Sequence, residues 1–235
     1  MLNHLHTPYF IYNGIDSRQM DIVVSKMPDV ARASKRIEGL TVPGRDGSLH
    51  QTDGAYDSYT KTMECVLLDE KKVDMVAAWL TGSGEIIFSS EPDKVYRVTV
   101  INTVPVSQML LSFPSFQVSF DTYPFKYSVN RFDEALELEK PAVILGKGTV
   151  YSQPVITVYG SGAVTITING ADYPLDNVDG HVTINSEIEE CYKDAINMNN
   201  IFSADEFPQL EPGDNTISWT GEVEKIEIQP NWRWF

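Results

Sequence analysis

Alternation at period two is the feature that most limits what this chain can become. In Thr62-Met63-Glu64-Cys65-Val66-Leu67 apolar and polar residues exchange at each step before the segment ends apolar. A strand sends successive side chains to opposite faces, so this pattern buries one face and wets the other. Val95-Tyr96-Arg97-Val98-Thr99-Val100-Ile101 is rich in β-branched residues, as a half-buried strand requires. Phe116, Val118 and Phe120 share one face, with Gln117 and Ser119 on the other. Further along, Val164, Ile166 and Ile168 alternate with threonines, and Asn169-Gly170 follows, a pair whose tolerance of positive φ marks a tight hairpin turn. His181–Ile184 and Val223–Ile228 alternate in the same way, with turn pairs expected at Asp179-Gly180 and Pro212-Gly213. The chain reads as mainly β, in the manner of sandwiches.

One stretch departs from this. Val73, Val76, Ala77 and Leu80 fall at helical spacing, which predicts a short amphipathic helix near 70–80. Asp69 is placed to cap it, and Gly82 to supply a left-handed residue at its end. Such a helix covers a sheet face or edge that would otherwise meet water, and Trp79 reads as packing on its flank.

Length and charge point to two domains. The chain has 235 residues, with 33 acids against 18 bases and a net charge of −15. Residues 1–130 carry 12 bases and 15 acids, a net −3, whereas residues 131–235 carry 6 and 18, a net −12. The expected division is a first domain over 1–130, a linker over 131–152 (acid-rich Phe132 to Lys140, then Pro141 and Gly146-Lys147-Gly148), and a second domain over 153–235. The acidic balance excludes a broad electrostatic grip on nucleic acid and a polybasic membrane anchor. No run of eighteen apolar residues is present, and Asp16, Arg18 and Asp21 interrupt any stretch of signal-peptide length, so no membrane partner or leader is expected. Cys65 and Cys191, one in each half, read as buried thiols rather than a redox or metal pair.

Chemistry-bearing constellations are missing. His4 and His6 have no nearby carboxylate or cysteine to complete a metal site and read as part of an amino-terminal arm; His50 and His181 stand alone in polar surroundings. No nucleophile elbow, phosphate-cradling loop or dinucleotide fingerprint occurs. Glu187, Glu189 and Glu190 read as a solvated acidic edge, and Asp172, Asp176 and Asp179 lack the spacing and closing glutamate of a calcium loop. No catalytic residue, cofactor or metal is expected, and hence no enzyme.

Two places are candidate interfaces. Gly44, Arg45, Asp46 and Gly47 form a tight turn with two positions suited to positive φ, presenting Arg beside Asp to a neighbouring copy. Trp232, Arg233 and Trp234, followed by Phe235, put three rings at a terminus. Rings there dock into a core or across an interface, or else form a stacking platform for sugar.

The ordered set Tyr9–Ser17, Val42-Pro43-Gly44-Arg45-Asp46-Gly47, Trp79-Leu80, Ser89–Tyr96 and Phe116–Phe120 with Tyr123-Pro124-Phe125 resembles the distal tail proteins of long-tailed, non-contractile bacteriophages. Gln153–Ile156, Glu187–Tyr192, Phe207–Leu210, Pro212–Asn215 and Trp232-Arg233 extend the resemblance over nearly the whole chain. It implies a tail-tube-like β-sandwich with one helix, followed by a galectin-like β-sandwich. It also implies a homohexameric ring between the tail tube protein and a tail tip or tail-associated protein, serving as a hub for receptor-binding proteins. The implied location is the virion tail tip, after synthesis in the bacterial host cytoplasm. Larger relatives insert carbohydrate-binding modules, for which 235 residues leave no room, so a scaffold is expected. The alternative is a carbohydrate-binding module acting through the terminal tryptophans or the second sandwich.

A ring needs interfaces that close by rotation, and the near-neutral first half can meet copies of itself without the self-repulsion of a −12 domain. Residues 1–130 are therefore expected to oligomerise alone, checked by light scattering. A strictly monomeric fragment at micromolar concentration refutes this.

Overall fold

The fold, obtained as a computed structural model, is described for residues 7–102 and 115–235; His4 and His6 lie outside the described residues. The chain is mainly β, with a single α-helix among the described residues. It divides into two compact units, one running to Lys126 and including Phe235, the other spanning Tyr127–Trp234.

The first unit contains β1 (Phe10–Tyr12), β2 (Ile15–Asp16), β3 (Ile22–Lys26), β4 (Glu38–Thr41), β5 (Ser48–Gln51) and β6 (Tyr59–Leu67). The helix α1 (Val73–Trp79) follows, then β7 (Ser83–Phe88), β8 (Lys94–Val100) and β9 (Ser115–Ser128), whose last two residues pass into the second unit. Its main sheet has the order β2-β1-β7-β8-β9-β6-β3. In β6 the alternation acts as expected: Met63, Cys65 and Leu67 are fully buried, and Met63 and Cys65 lie opposite Val118 and Phe116 of β9.

Phe10 and Tyr12 near one end of the sheet share a core with Ile22 and Val24 at the other, so the sheet curls over one interior. Tyr12 reaches within 6.3 Å of the Phe120 ring, although two strands separate β1 from β9 in the sheet. The helix begins as a 3-10 turn at Glu70–Lys72, where the Asp69 side chain accepts a hydrogen bond from the Lys71 amide. It buries Val73, Val76 and Leu80 in the same core. Trp79 stacks on Phe10 at 5.5 Å and donates its indole N–H to the Tyr12 carbonyl.

The second unit holds β10 (Leu136–Leu138), β11 (Ala142–Gly146), β12 (Val155–Ile168), β13 (Ala171–Asn185), β14 (Glu190–Lys193), β15 (Ile196–Asn197), β16 (Gly213–Gln229) and β17 (Arg233–Trp234). Its order is β10-β16-β12-β13-β14-β15, with β11 also on β16. The three long strands bend at register shifts around Gly160–Val164, so that Val158 on one side and Ile166 on the other meet in one core. Glycine is required at that corner. A Cβ on Gly160 would lie 2.2 Å from the Glu222 carbonyl oxygen, and one on Gly221, at φ +99, would lie 2.4 Å from that of Ala163. The Asn169-Gly170 turn forms as expected, with φ of 53 and 85. The Asn169 amide group donates to the fully buried Asn215 side chain at 2.9 Å.

Two expectations need correction. Residues 131–152 are not a linker: Leu136 and Leu138 pair with Ile228 and Ile226, and Ala142–Gly146 pairs with Gly213–Ile217, so the segment supplies two strands. The acids at Glu137 and Glu139 alternate with leucines, and a wet face looks like a loop when only its charges are weighed. Asp179-Gly180 is not a turn between strands; it lies inside β13, where Gly180 at φ +81 faces Gly160 across the corner.

A polar group also sits inside the first unit. Lys61 points inward from β6 at 5% exposure. Its Nζ donates to the Asp29 carbonyl at 3.0 Å and lies 5.2 Å from the Tyr96 ring centre. Burial holds its ammonium below the usual lysine range. Glu91 accepts hydrogen bonds from Tyr96 Oη and Lys126 Nζ. Burial pushes the Glu91 carboxyl up, but the bonds from Lys126 and Tyr96 outweigh it and leave it below its ordinary value. Burial and the charge of Glu91 push the Tyr59 hydroxyl up to about 12. A carboxyl depressed in the folded state adds stability that is complete above the unfolded value, about 4.3, and disappears as pH falls through the folded one. Glu91→Gln is accordingly expected to lower thermal stability at neutral pH, with the gap from the parent chain closing below about pH 4, as followed by circular dichroism melts.

Candidate functional site

The β4–β5 pair forms a two-stranded sheet of its own, with Leu40 opposite Leu49 and Gly39 opposite His50. Its base is fastened: the Arg36 amide donates to the Ala55 carbonyl, and the Asp57 amide to that of Ser34. Arg36 also pairs with Asp57 at 3.0 Å and Asp53 at 3.3 Å. The tip is the predicted turn. The Arg45 amide donates to the Val42 carbonyl at 3.1 Å, and Gly44 and Gly47 take φ of +80 and +78. Added Cβ atoms there would meet nothing within 4 Å, so backbone conformation, not space, selects glycine.

Every residue of both strands is exposed, including Leu40 at 50% and Leu49 at 43%, with Ile37 and Val42 also in solvent. An isolated two-stranded hairpin is marginal in water, and apolar pairs on it are surface waiting for cover. Arg45 and Asp46 have no ion-pair partner among the described residues. The turn is legible in the sequence, whereas the facing of Leu40 and Leu49 behind it is set by the register of the paired strands.

The terminal aromatics have a different fate. Trp232 is 2% exposed and belongs to the core of the second unit, with Trp234 packed against it. Arg233 is also buried, its guanidinium 4.4 Å from the Tyr151 ring centre and donating to the Tyr151 carbonyl and to Gln153 Oε1, each at 2.9 Å. The Thr149 amide bonds to the Arg233 carbonyl, which leaves room only for glycine at 148. Trp232 and Arg233 are therefore interior residues, not a sugar platform or an open interface, because a strand edge along 148–152 was available to receive them. Phe235 falls in the first unit, its ring 5.2 Å from Tyr56 and 5.7 Å from Phe125.

No chemistry assembles elsewhere among the described residues. No group of three or more His, Cys, Asp or Glu could hold a metal ion. Both cysteines are free and buried; burial pushes the Cys65 thiol up to about 12 and that of Cys191 to about 11, far from thiolate reactivity. His181 lies 3.4 Å from Asp194 beside the Tyr159 ring, and His50 sits in open solvent on β5. None of the described helices is long and apolar enough to cross a membrane.

The phage tail protein RIFT-related domain family matches this sequence over residues 17–150, more than half of the chain. The chain belongs to that family. Its fold is also similar to that of the SPP1 Dit protein, whose crystal structure is described as a paradigm of hub adsorption apparatus in phages infecting Gram-positive hosts. The TM-score is 0.73 at 14% identity, covering 95% of this chain and 98% of the other. No curated protein matches the sequence. A phage tail structural family makes enzymatic activity unexpected.

Trp232→Ala is expected to destabilise the second unit by about 3–5 kcal/mol, the usual cost of emptying a buried aromatic site, as measured by denaturant unfolding. A stability unchanged by this substitution would contradict the core assignment.

Proposed function

We propose that this chain is a distal tail protein. Six copies close into a ring that joins the tail tube to the tail tip or baseplate, and the ring carries tip or receptor-binding proteins. The observation that supports this most strongly is the family match over residues 17–150 together with a fold like that of SPP1 Dit along nearly the whole of both chains. The first unit is close to neutral, which favours contacts between copies, and the −12 second half favours solvent and other partners.

The β4–β5 hairpin is the inter-copy arm in this reading. Leu40, Leu49 and Ile37 need apolar cover, and a rotationally related copy supplies the same cover at every junction of a ring. Arg45 and Asp46 at the tip then set register by pairing across the junction. No sugar-binding role is proposed, since Trp232 is inside the core and Trp234 packs against that core, partly buried.

Negative-stain imaging of the purified chain is expected to show six-fold rings. Leu40→Asp with Leu49→Asp is expected to abolish them while leaving the circular dichroism spectrum intact, because both positions are exposed. A particle that stays monomeric at every concentration overturns the ring; rings unaffected by the double substitution overturn the role of the hairpin.

A further inference from the structure

Along β6 the inward positions read Lys61, Met63, Cys65 and Leu67, so an ammonium stands where the alternation calls for an apolar side chain. Replacing buried ionic groups with apolar residues of similar volume is often neutral or stabilising, so core stability alone does not account for a lysine here. Nor does Glu91 require it, since that carboxylate already accepts hydrogen bonds from Lys126 and Tyr96. The surroundings of Lys61 supply a different reason. β3 leaves β6 after Lys26 pairs with Glu64, and from Tyr59 to Met63 the described neighbour of β6 is β9 alone. Residues 27–33 run past the vacated edge without joining it, and a cavity of about 270 Å³ lies between residues 26–31 and the strands β6 and β9. Among the described residues this segment makes one hydrogen bond, from Lys61 Nζ to the Asp29 carbonyl at 3.0 Å. Its apolar anchors are at the ends, where Met27 packs on the first core and Ala33 is buried; Val30, in the middle, is 92% exposed.

We propose that Lys61 is a positioning residue: its ammonium latches residues 27–33 to the first unit and thereby fixes the root of the β4–β5 hairpin. That root is one piece, because Ser34 and Arg36 are bonded to Asp57 and Ala55. Two connections join it to the main sheet. One is short, with Ser58 alone between Asp57 and the start of β6; the other is the segment 27–33 that follows β3. A root held by one short connection can swing about it, and a second connection prevents this only if it is tied down. Segments with few buried apolar contacts open at low free energy, and the cavity denies this one packing along its length. A charge-assisted hydrogen bond reaches where packing does not. The ammonium end of the latch is itself held in place, 5.2 Å from the Tyr96 ring centre and 5.5 Å from that of Tyr59. The latch stands on this geometry; its consequence for ring assembly rests on the reading of the hairpin as the inter-copy arm.

The test uses the full-length chain with Lys61→Met, which keeps a long unbranched side chain and removes the donor. A second variant keeps Lys61 and replaces the Asp29–Val30 amide by an ester, introduced with the α-hydroxy analogue of valine. An ester carbonyl is a weaker acceptor, and the amide hydrogen lost from Val30 has no partner among the described residues. Hydrogen exchange followed by mass spectrometry is expected to quicken in residues 27–33 by roughly tenfold or more in Lys61→Met, the loss of a charged hydrogen bond, and by less in the ester. Exchange in the paired parts of β6 and β9 is expected to stay as in the parent. A dye on Ser48→Cys, at the exposed start of β5, labels selectively because Cys65 and Cys191 are buried. Its anisotropy in the single-chain form is expected to fall in both variants as the hairpin gains freedom. Unaltered exchange in residues 27–33 of both variants overturns the latch, and faster exchange with unaltered anisotropy overturns the positioning role. If Lys61→Met fails to fold, the ester decides. Rings of Lys61→Met are expected to dissociate at roughly tenfold higher concentration than those of the parent. A parent chain without rings sinks the hub reading and leaves the latch to exchange and anisotropy; parent rings with both probes unmoved sink the latch alone.

Discussion

A strand offers one face to the core and one to water, and every apolar side chain here must find its place under that restriction. Each unit satisfies it independently. In the first, the sheet curls until Phe10, Tyr12, Ile22 and Val24 share an interior, and α1 adds Val73, Val76 and Leu80. In the second, Gly160 and Gly221 let backbones approach closely enough for long strands to bend over a core of isoleucines and valines. Replacing either corner glycine would drive a Cβ into a carbonyl oxygen, so the second core depends on two residues that have no side chain to contribute to it.

What these cores leave out is informative. The β4–β5 hairpin carries Leu40 and Leu49 face to face in solvent, on a sheet with no third strand. Scattered exposed apolar side chains are ordinary, but two facing each other on an isolated hairpin are the surface that the proposed function covers. The chain belongs to a phage tail family and has a fold like that of SPP1 Dit, and in the function proposed above a second copy of the chain covers this hairpin. The polar interior around Lys61 and Glu91 works in the opposite sense: ionised groups within the first unit are kept by hydrogen bonds and by aromatic rings that accept the ammonium.

Alternation, turn chemistry and helical spacing were readable because they are relations between residues a few positions apart. The β-strand at Met63–Leu67, the Asn169-Gly170 turn and the capped helix near residue 73 all follow from such short-range patterns. The resemblance of the turn Pro43–Gly47 and its companions to phage tail proteins was legible for the same reason.

Tertiary structure decided the rest, because pairing and burial depend on residues distant in sequence. Leu136-Glu137-Leu138 looked like acidic linker until Ile226 and Ile228 lay beside it. Trp232 suited a sugar platform as well as a core until the second-unit interior enclosed it. Glu187, Glu189 and Glu190 stay exposed, the solvated edge read along the chain, while folding alone sets Asp205 and Glu206 on the lining of the same open cavity as Glu189. The sequence alone determined which side chains turn inward on each strand, through the fixed period of the backbone; the folded chain determined which strands meet, since that choice is made by long-range hydrogen bonds and shared burial.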